Sequence, residues 1–240
     1  MSKVAEFYDD YTVQQVAIGI NDRNLSIQKW LEEYGLQPHH DVLEIGCGIG
    51  TQTQLLAEYL SESSKITAND ISPKSIEIAK QRLSQHKNIE WFAVDIIQQE
   101  IDHKYDVVLL PDVLEHIPID HHFKLFEKIK SCLKPDGFVL IHIPNPLFLE
   151  WCHVHMKDGL QVIDQPIFTD MLVKNAYPHG FYIHTLRTYS IWIDHGDYQV
   201  IVLKPHHKLE DRHYEVTLPK VSLITRIKQK ISRTKKKLFA

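Results

Sequence analysis

The stretch Asp41-Val42-Leu43-Glu44-Ile45-Gly46-Cys47-Gly48-Ile49-Gly50 decides the fold. Pro38 interrupts the segment before it, and the aliphatic run Val42 to Ile45 then forms a strand that three glycines end at once. From Gln52 to Leu60 the apolar residues recur at helical spacing. In an open α/β sheet, a strand that turns through glycines into a helix is where ligands bind, beyond the carboxyl ends of the strands. A dinucleotide site needs the spacing G-x-G-x-x-G, and counting from Gly46 places Thr51 where the third glycine belongs. Glu44, beside the turn, repels a pyrophosphate and suits a ligand that carries an ammonium group.

Strand and helix alternate on both sides of this corner. A helix is expected over about 26–34. Beyond the turn the pattern predicts a strand over 65–69, a helix over 73–83 with Ser72 as its N-cap and Pro73 first, and strands over 89–94 and 105–110. A helix over 120–133, a turn at Lys134-Pro135-Asp136-Gly137 and a strand over 137–143 follow, then helical residues around 170–175. The chain closes with a hairpin of 181–193 and 198–203 joined by Asp194-His195-Gly196-Asp197. This rhythm is that of a Rossmann-like, doubly wound α/β sheet with helices on both faces, and the hairpin makes the last strand antiparallel. The expected organisation is an N-terminal helical segment, 1–39, acting as a substrate lid or cap, a nucleotide-binding domain, 40–205, and a C-terminal tail, 206–240.

Three acids end three successive strands: Glu44, Asp70 in Ala68-Asn69-Asp70-Ile71-Ser72, and Asp95 in Ala93-Val94-Asp95-Ile96. Asp70 stands about 20 residues after the glycine turn, where a carboxylate accepts hydrogen bonds from ribose hydroxyls. Asp95 could accept from an exocyclic adenine amine. Taken singly, Asp70 and Asp95 read equally well as helix N-caps. Taken together, the three carboxylates line one sheet edge.

The segments 41–50, 67–72, 90–96, 105–118 and 133–146 resemble the ordered motifs of class I S-adenosylmethionine-dependent methyltransferases, over roughly residues 40 to 205. The resemblance implies a seven-stranded sheet with its last strand antiparallel, and S-adenosylmethionine as cofactor, left as S-adenosylhomocysteine. It implies that the Gly46-Cys47-Gly48 turn and Gly50 admit the methionine moiety and that Glu44 helps hold its amino group. Asp70 would take the ribose hydroxyls, Ile71 would lie against the adenine, and Asp95 and Ile96 would read the adenine edge. Leu110 and Pro111 would close over the methionine end.

The segment Leu110-Pro111-Asp112-Val113-Leu114-Glu115-His116-Ile117-Pro118 is similar to one common in small-molecule members. It implies that Asp112, Glu115 and His116 lie near methyl transfer or just beneath it. Methyl transfer is a displacement at an activated carbon, so alignment and water exclusion matter most. For a hydroxyl acceptor His116 is the candidate base, with Glu115 beside it, because imidazole titrates near neutrality. The other reading of the pair is that it orders the loop and caps the next helix. Ile141-His142-Ile143-Pro144-Asn145-Pro146 resembles a segment of members acting on quinones, lipids and saccharides, which places His142 and Asn145 toward the acceptor. Residues 147–165 would shape the acceptor site or simply form a lid packed on the body.

Composition narrows the partners. The net charge of −4 comprises eight Lys or Arg and no acid over 220–240, against 19 basic and 31 acidic residues, or −12, over 1–219. Leu223, Ile224, Ile227, Ile231 and Leu238 fall mostly on one stripe of that tail, so it reads as a basic amphipathic helix suited to an anionic membrane surface, or as a solvated terminus. Nucleic acid fits an acidic body poorly. Cys47, Cys132 and Cys152 are odd in number, and those of the sixteen histidines that pair, such as His39-His40, His121-His122 and His153-x-His155, are isolated, so neither a disulfide framework nor a metal site is expected. With no leader and no spanning run, a cytoplasmic protein follows, peripheral at the membrane if the tail binds there. The expected activity is methyl transfer to a small-molecule, lipid-linked or saccharide acceptor, at oxygen before nitrogen or carbon. A non-catalytic S-adenosylmethionine-binding regulator is the second reading and a nicotinamide oxidoreductase the third.

Overall fold

A computed structural model describes residues 18–157 and 160–207. The expected tail helix and residues 1–17 of the N-terminal segment lie outside the described residues. The strands are β1 (Val42–Ile45), β2 (Ile66–Asp70), β3 (Ile89–Ala93), β4 (Tyr105–Pro111), β5 (Leu133–Pro144), β6 (Phe181–Tyr189) and β7 (Tyr198–Pro205). The helices are α1 (Asp22–Glu33), α2 (Thr51–Tyr59), α3 (Pro73–Arg82), α4 (His122–Cys132), α5 (Pro146–His155) and α6 (Thr169–Ala176).

The seven strands form one sheet in the order β3-β2-β1-β4-β5-β7-β6. The pairs β1/β2, β2/β3, β1/β4 and β4/β5 are parallel, and β7 runs antiparallel to both β5 and β6. The chain winds outward through β2 and β3, then returns to place β4 on the other side of β1. The carboxyl ends of β1 and β4 therefore bound a topological switch point, where helices on opposite faces diverge and leave a crevice.

Period-two alternation assigns each strand residue to one of two cores. Leu43, Ile45, Val108, Leu110, Val139 and Ile141 join Leu125, Phe126 and Ile129 of α4 and Leu172 of α6 on one face. Val42, Val107, Leu109, Leu140, Val200 and Val202 join Ile27, Trp30 and Leu31 of α1 and Leu56 of α2 on the other. Glu44 and His142 have the parity of the second face, which sends their side chains toward α2 and α1.

Four boundaries differ from the sequence reading, each through a bond not visible in the periodicity. α1 begins at Asp22 rather than near Ser26, because Asn21 accepts from the Arg23 N–H at 3.0 Å and forms a reciprocal capping box with Asn24. The turn 134–137 is absorbed into β5, since Leu133 pairs with Tyr105 and an irregularity between Tyr105 and Val107 takes up the extra residues. α4 starts at His122, after a short 3-10 turn over Ile119–His121. β6 stops at Tyr189, because the buried Asp197 carboxylate accepts from the N–H groups of Ile191 and Trp192, both at 2.8 Å, and draws them out of the ladder.

Candidate active site

A cavity of about 580 Å³ opens at the switch point. Its floor is the β1–α2 turn. Gly46 has φ of +79°, and a Cβ there would lie 2.5 Å from Val113 Cγ2, so only glycine lets the turn pass beneath the β4 loop. The Gly46 and Cys47 N–H groups donate to the Asn69 carbonyl at 2.8 and 2.9 Å, which ties the turn to β2. Gly50, with φ of +80°, starts α2 as its N-cap and packs against Leu83, Ala79 and Trp91 instead of facing the cavity.

Glu44 is fully buried on the cavity wall. Its Oε2 accepts from Thr53 Oγ1 at 2.6 Å, while Oε1 has no hydrogen-bond partner among the described residues. Burial pushes this carboxyl up to about 8. An acceptor stripped of water and left unpaired is costly unless a donor completes it, and an ammonium group would both complete it and favour the ionised form.

Around the wall the strand ends supply the other expected groups. Asp70 accepts the Gly48 N–H through Oδ2 and the Ser72 N–H through Oδ1, both at 2.8 Å, so it fastens the glycine turn to the start of α3. A carboxylate oxygen has two lone pairs and can accept more than one hydrogen bond. Ile71 is an exposed apolar side chain on the wall, and Ile96 is buried opposite the solvent. Asp95 accepts from the Ile97 N–H at 3.0 Å and from Gln98 Nε2 at 3.1 Å, which closes a turn over 96–98 instead of capping a helix, and it borders the cavity. Cys47 and Pro111 line the cavity; Leu110 does not, because its parity puts it under α4 in the first core.

The β4 loop brings Asp112, Val113 and His116 to the wall. Asp112 adopts a left-handed φ of +52° and is held from three sides: its N–H donates to the His142 carbonyl at 2.9 Å, Oδ1 lies 2.6 Å from His142 Nδ1, and Oδ2 pairs with Arg23 Nη1 at 3.1 Å. Burial raises the Asp112 carboxyl, but His142 and Arg23 outweigh it and hold the group below its ordinary range. His142 continues the chain to the Tyr189 hydroxyl at 2.6 Å, which meets Ser26 Oγ at 2.8 Å. His142 is thus fully buried between β6 and α1 and does not border the cavity.

His116 Nδ1 sits 2.5 Å from the Ile163 carbonyl and 3.3 Å from Asp164 Oδ1, so Nδ1 carries the proton and Nε2 is the basic nitrogen of the neutral ring. Burial lowers the His116 pKa below its ordinary 6.5. Glu115 lies behind the ring, its Oε1 3.8 Å from His116 Nε2, and burial pushes its carboxyl well above the usual carboxylate range. It is not on the cavity wall. Asn145 is not either: Oδ1 accepts the Leu147 N–H at 3.2 Å as N-cap of α5, and Nδ2 donates to the Gly196 carbonyl at 2.6 Å.

Several wall residues were not singled out individually by the sequence, although four of them fall in segments 1–39 and 147–165. Arg23 and Asn24 come from α1, Gln161 and Ile163 from the segment after α5, Trp192 from the β6–β7 connection and Tyr198 from the start of β7. The capping pattern Asn21-Asp22-Arg23-Asn24 could have moved the start of α1 to include Arg23. Gln161 and Ile163 fall in the segment 147–165 read as an acceptor-site segment or lid, whereas nothing local marks Trp192 and Tyr198 as cavity residues.

A nucleotide-type crevice with an orphaned buried carboxylate oxygen over a glycine turn defines a Rossmann-like protein built for a nucleoside that bears an ammonium group. Comparison with known proteins agrees. Residues 43–139 match the family model described as a methyltransferase domain. The chain is 27% identical over 163 residues to malonyl-[acyl-carrier protein] O-methyltransferase 1 of Ilyobacter polytropus, covering 68% of this chain and 56% of that one. It is 25% identical over 194 residues to (S)-coclaurine N-methyltransferase of Thalictrum flavum, covering 80% and 49%. The chain thus spans about half the length of these two curated relatives. The crystal structure of N-methyltransferase NodS from Bradyrhizobium japonicum in complex with S-adenosylhomocysteine superposes with a TM-score of 0.62 at 18% identity, covering 78% of this chain and 87% of that one. The chain is thus similar to S-adenosylmethionine-dependent methyltransferases over its sheet domain, and the Glu44 and Gly46 geometry fits the ammonium-bearing end of S-adenosylmethionine.

Proposed function

We propose that the protein transfers a methyl group from S-adenosylmethionine to a hydroxyl oxygen of a small-molecule, lipid-linked or saccharide acceptor. The observation that carries this reading is the single cavity wall that joins Glu44, Asp70 and Ile96 to His116. When bound, S-adenosylmethionine supplies a methyl carbon made electrophilic by its sulfonium. Glu44 and the Gly46–Gly48 turn would hold its amino-acid end, Asp70 the ribose, and Ile71, Asp95 and Ile96 the adenine. Pro111 would border the methionine end. His116 Nε2, with its ring fixed through Nδ1, would take the acceptor's proton, and Glu115, neutral and buried, would position that ring. His142 and Asn145 would support the acceptor side from behind, through Asp112 and α5. The described part of segment 1–39 would cap the cavity with Arg23, Asn24 and Ile27 of α1.

Titration calorimetry with S-adenosylmethionine, S-adenosylhomocysteine and NAD tests the cofactor assignment. We expect the first two to bind, NAD not to bind, and Asp70→Ala to weaken binding by about 100-fold or more, since it removes the ribose acceptor and the anchors of Gly48 and Ser72. Failure of both adenosyl ligands to bind overturns the reading. For oxygen as acceptor, His116→Ala should lower kcat about 10² to 10⁴-fold with little change in cofactor affinity, with the wild-type activity retained below pH 6.5 because burial keeps the imidazole neutral there. Wild-type turnover in the variant would instead point to nitrogen, as in the coclaurine enzyme's name, because an amine that is already neutral needs no base.

A further inference from the structure

α5 exposes an apolar stripe that the other described residues leave uncovered. Leu147, Trp151 and Val154 recur at i, i+4 and i+7 and are 65%, 48% and 67% exposed, with Met156 just beyond at 52%. Leu149 and Cys152, on the opposite side, are buried and anchor the helix. Phe148 stacks on Trp151 at 6.1 Å between ring centroids and His155 lies against the same indole at 4.8 Å, so the stripe is a stiffened aromatic surface.

The stripe is bonded at both ends to segments that line the cavity. At its start, the Asn145 N–H donates to the Asp197 carbonyl at 2.7 Å and Asn145 Nδ2 donates to Gly196 O, holding the connection that carries Trp192. Near its end, His153 Nε2 contacts the Asp164 carbonyl at 2.7 Å, beside Ile163 on the wall. Trp192 is 54% exposed and lines the cavity as well, so it marks where the cavity meets solvent, next to the helix.

We propose that the α5 face, Leu147, Trp151, Val154 and Met156, docks on an anionic lipid bilayer, so that an amphiphilic acceptor passes from the membrane past Trp192 into the cavity. The proposal narrows the acceptor class of the proposed methyltransferase and rests on that reading for the acceptor only. Three features favour a bilayer over a protein partner. Exposed tryptophans flanked by aliphatic side chains suit the membrane interface, where the ring is half apolar. Among Pro146–His155 the one Asp, Glu, Lys or Arg is Glu150, so the face offers no charge pattern by which a protein partner would be told apart. In sequence, residues 220–240 add eight Lys or Arg with no acid, which complements anionic headgroups at about 1 kcal/mol per basic residue near the surface.

Full-length protein is floated with phosphatidylcholine vesicles, with and without phosphatidylglycerol, and its tryptophan fluorescence is read with lipids brominated near the headgroup. Co-flotation and quenching are expected, with quenching reduced in Trp151→Phe. Leu147→Glu/Val154→Glu should lower partitioning roughly tenfold or more, while its affinity for S-adenosylmethionine stays that of the wild type, since neither residue borders the cavity. Partitioning unchanged in the double variant, no partitioning of the wild type, or dimerisation that the double variant abolishes would each overturn the proposal, the last by assigning the face to a second copy. Loss of S-adenosylmethionine binding in the wild type with vesicle binding intact would instead sink the methyltransferase reading alone.

Discussion

Glu44→Gln should weaken S-adenosylmethionine about 10- to 100-fold while making the unliganded protein more stable in mild alkali. A hydrogen bond from an ammonium to a buried carboxylate is worth about 1.5–3 kcal/mol, and an amide keeps the shape without the charge. The Gln oxygen can still accept from Thr53, so the fold around α2 should persist. The stability effect follows from the raised pKa. Between the ordinary carboxyl value of 4.5 and the folded value of about 8, the folded wild type holds a proton that the unfolded chain has released, so its stability falls as pH rises through that window. Glu44→Gln has no such group, and its stability should exceed the wild type's above pH 8 in urea titrations. Cofactor binding at pH 7 should also release protons in the wild type, because an ammonium at Oε1 favours the ionised carboxylate. Calorimetry in buffers of different ionisation enthalpy reads that release directly, and Glu44→Gln should abolish it.

Asp112→Ala should destabilise the protein by about 3 kcal/mol, at the lower end of what breaking a buried ion pair costs, because Arg23 is partly exposed. The substitution strands His142 Nδ1 inside the fold and frees Arg23 from β4. A second readout separates this from generic loss of packing. Arg23, Asn24 and Ile27 wall the cavity from α1, so the variant should bind S-adenosylmethionine more weakly even where it is fully folded. Asp112→Asn should retain more stability at neutral pH, since asparagine tolerates the left-handed φ and still accepts from His142. Because the folded Asp112 pKa is depressed, its contribution is present above the unfolded value near 3.9 and is lost as pH falls through the folded one. The corresponding part of the acid limb of a wild-type stability profile should therefore be absent from Asp112→Asn.

The residues expected from sequence that border the cavity are those whose place depends on a few neighbours. Glu44, Asp70 and Asp95 end strands, and the parallel winding alone carries strand ends to one edge. Pro111 and His116 follow from the same logic at β4. Leu110 was drawn toward the cavity by its nearness to the motif, yet alternation turns it into the core beside Leu125 and Phe126. His142 and Asn145 were placed toward the acceptor by resemblance. Their side chains are instead engaged by Tyr189 and Gly196, residues 47 and 51 positions away that arrive only when the hairpin folds back beside β5.

Sequence alone determined the glycine turn, the order of parallel strands, the antiparallel closure and the three acids at the strand ends. Those features follow from steric limits on φ and from apolar periodicity, which act over a few residues. Tertiary structure alone decided that Arg23 is the residue of α1 that ties it to Asp112 on the cavity wall, that Trp192 and Tyr198 line the cavity, and that α5 keeps an open apolar face. These depend on which faces of distant segments pack together, and that is set by burial and hydrogen-bond completion across the whole sheet rather than by any local spacing.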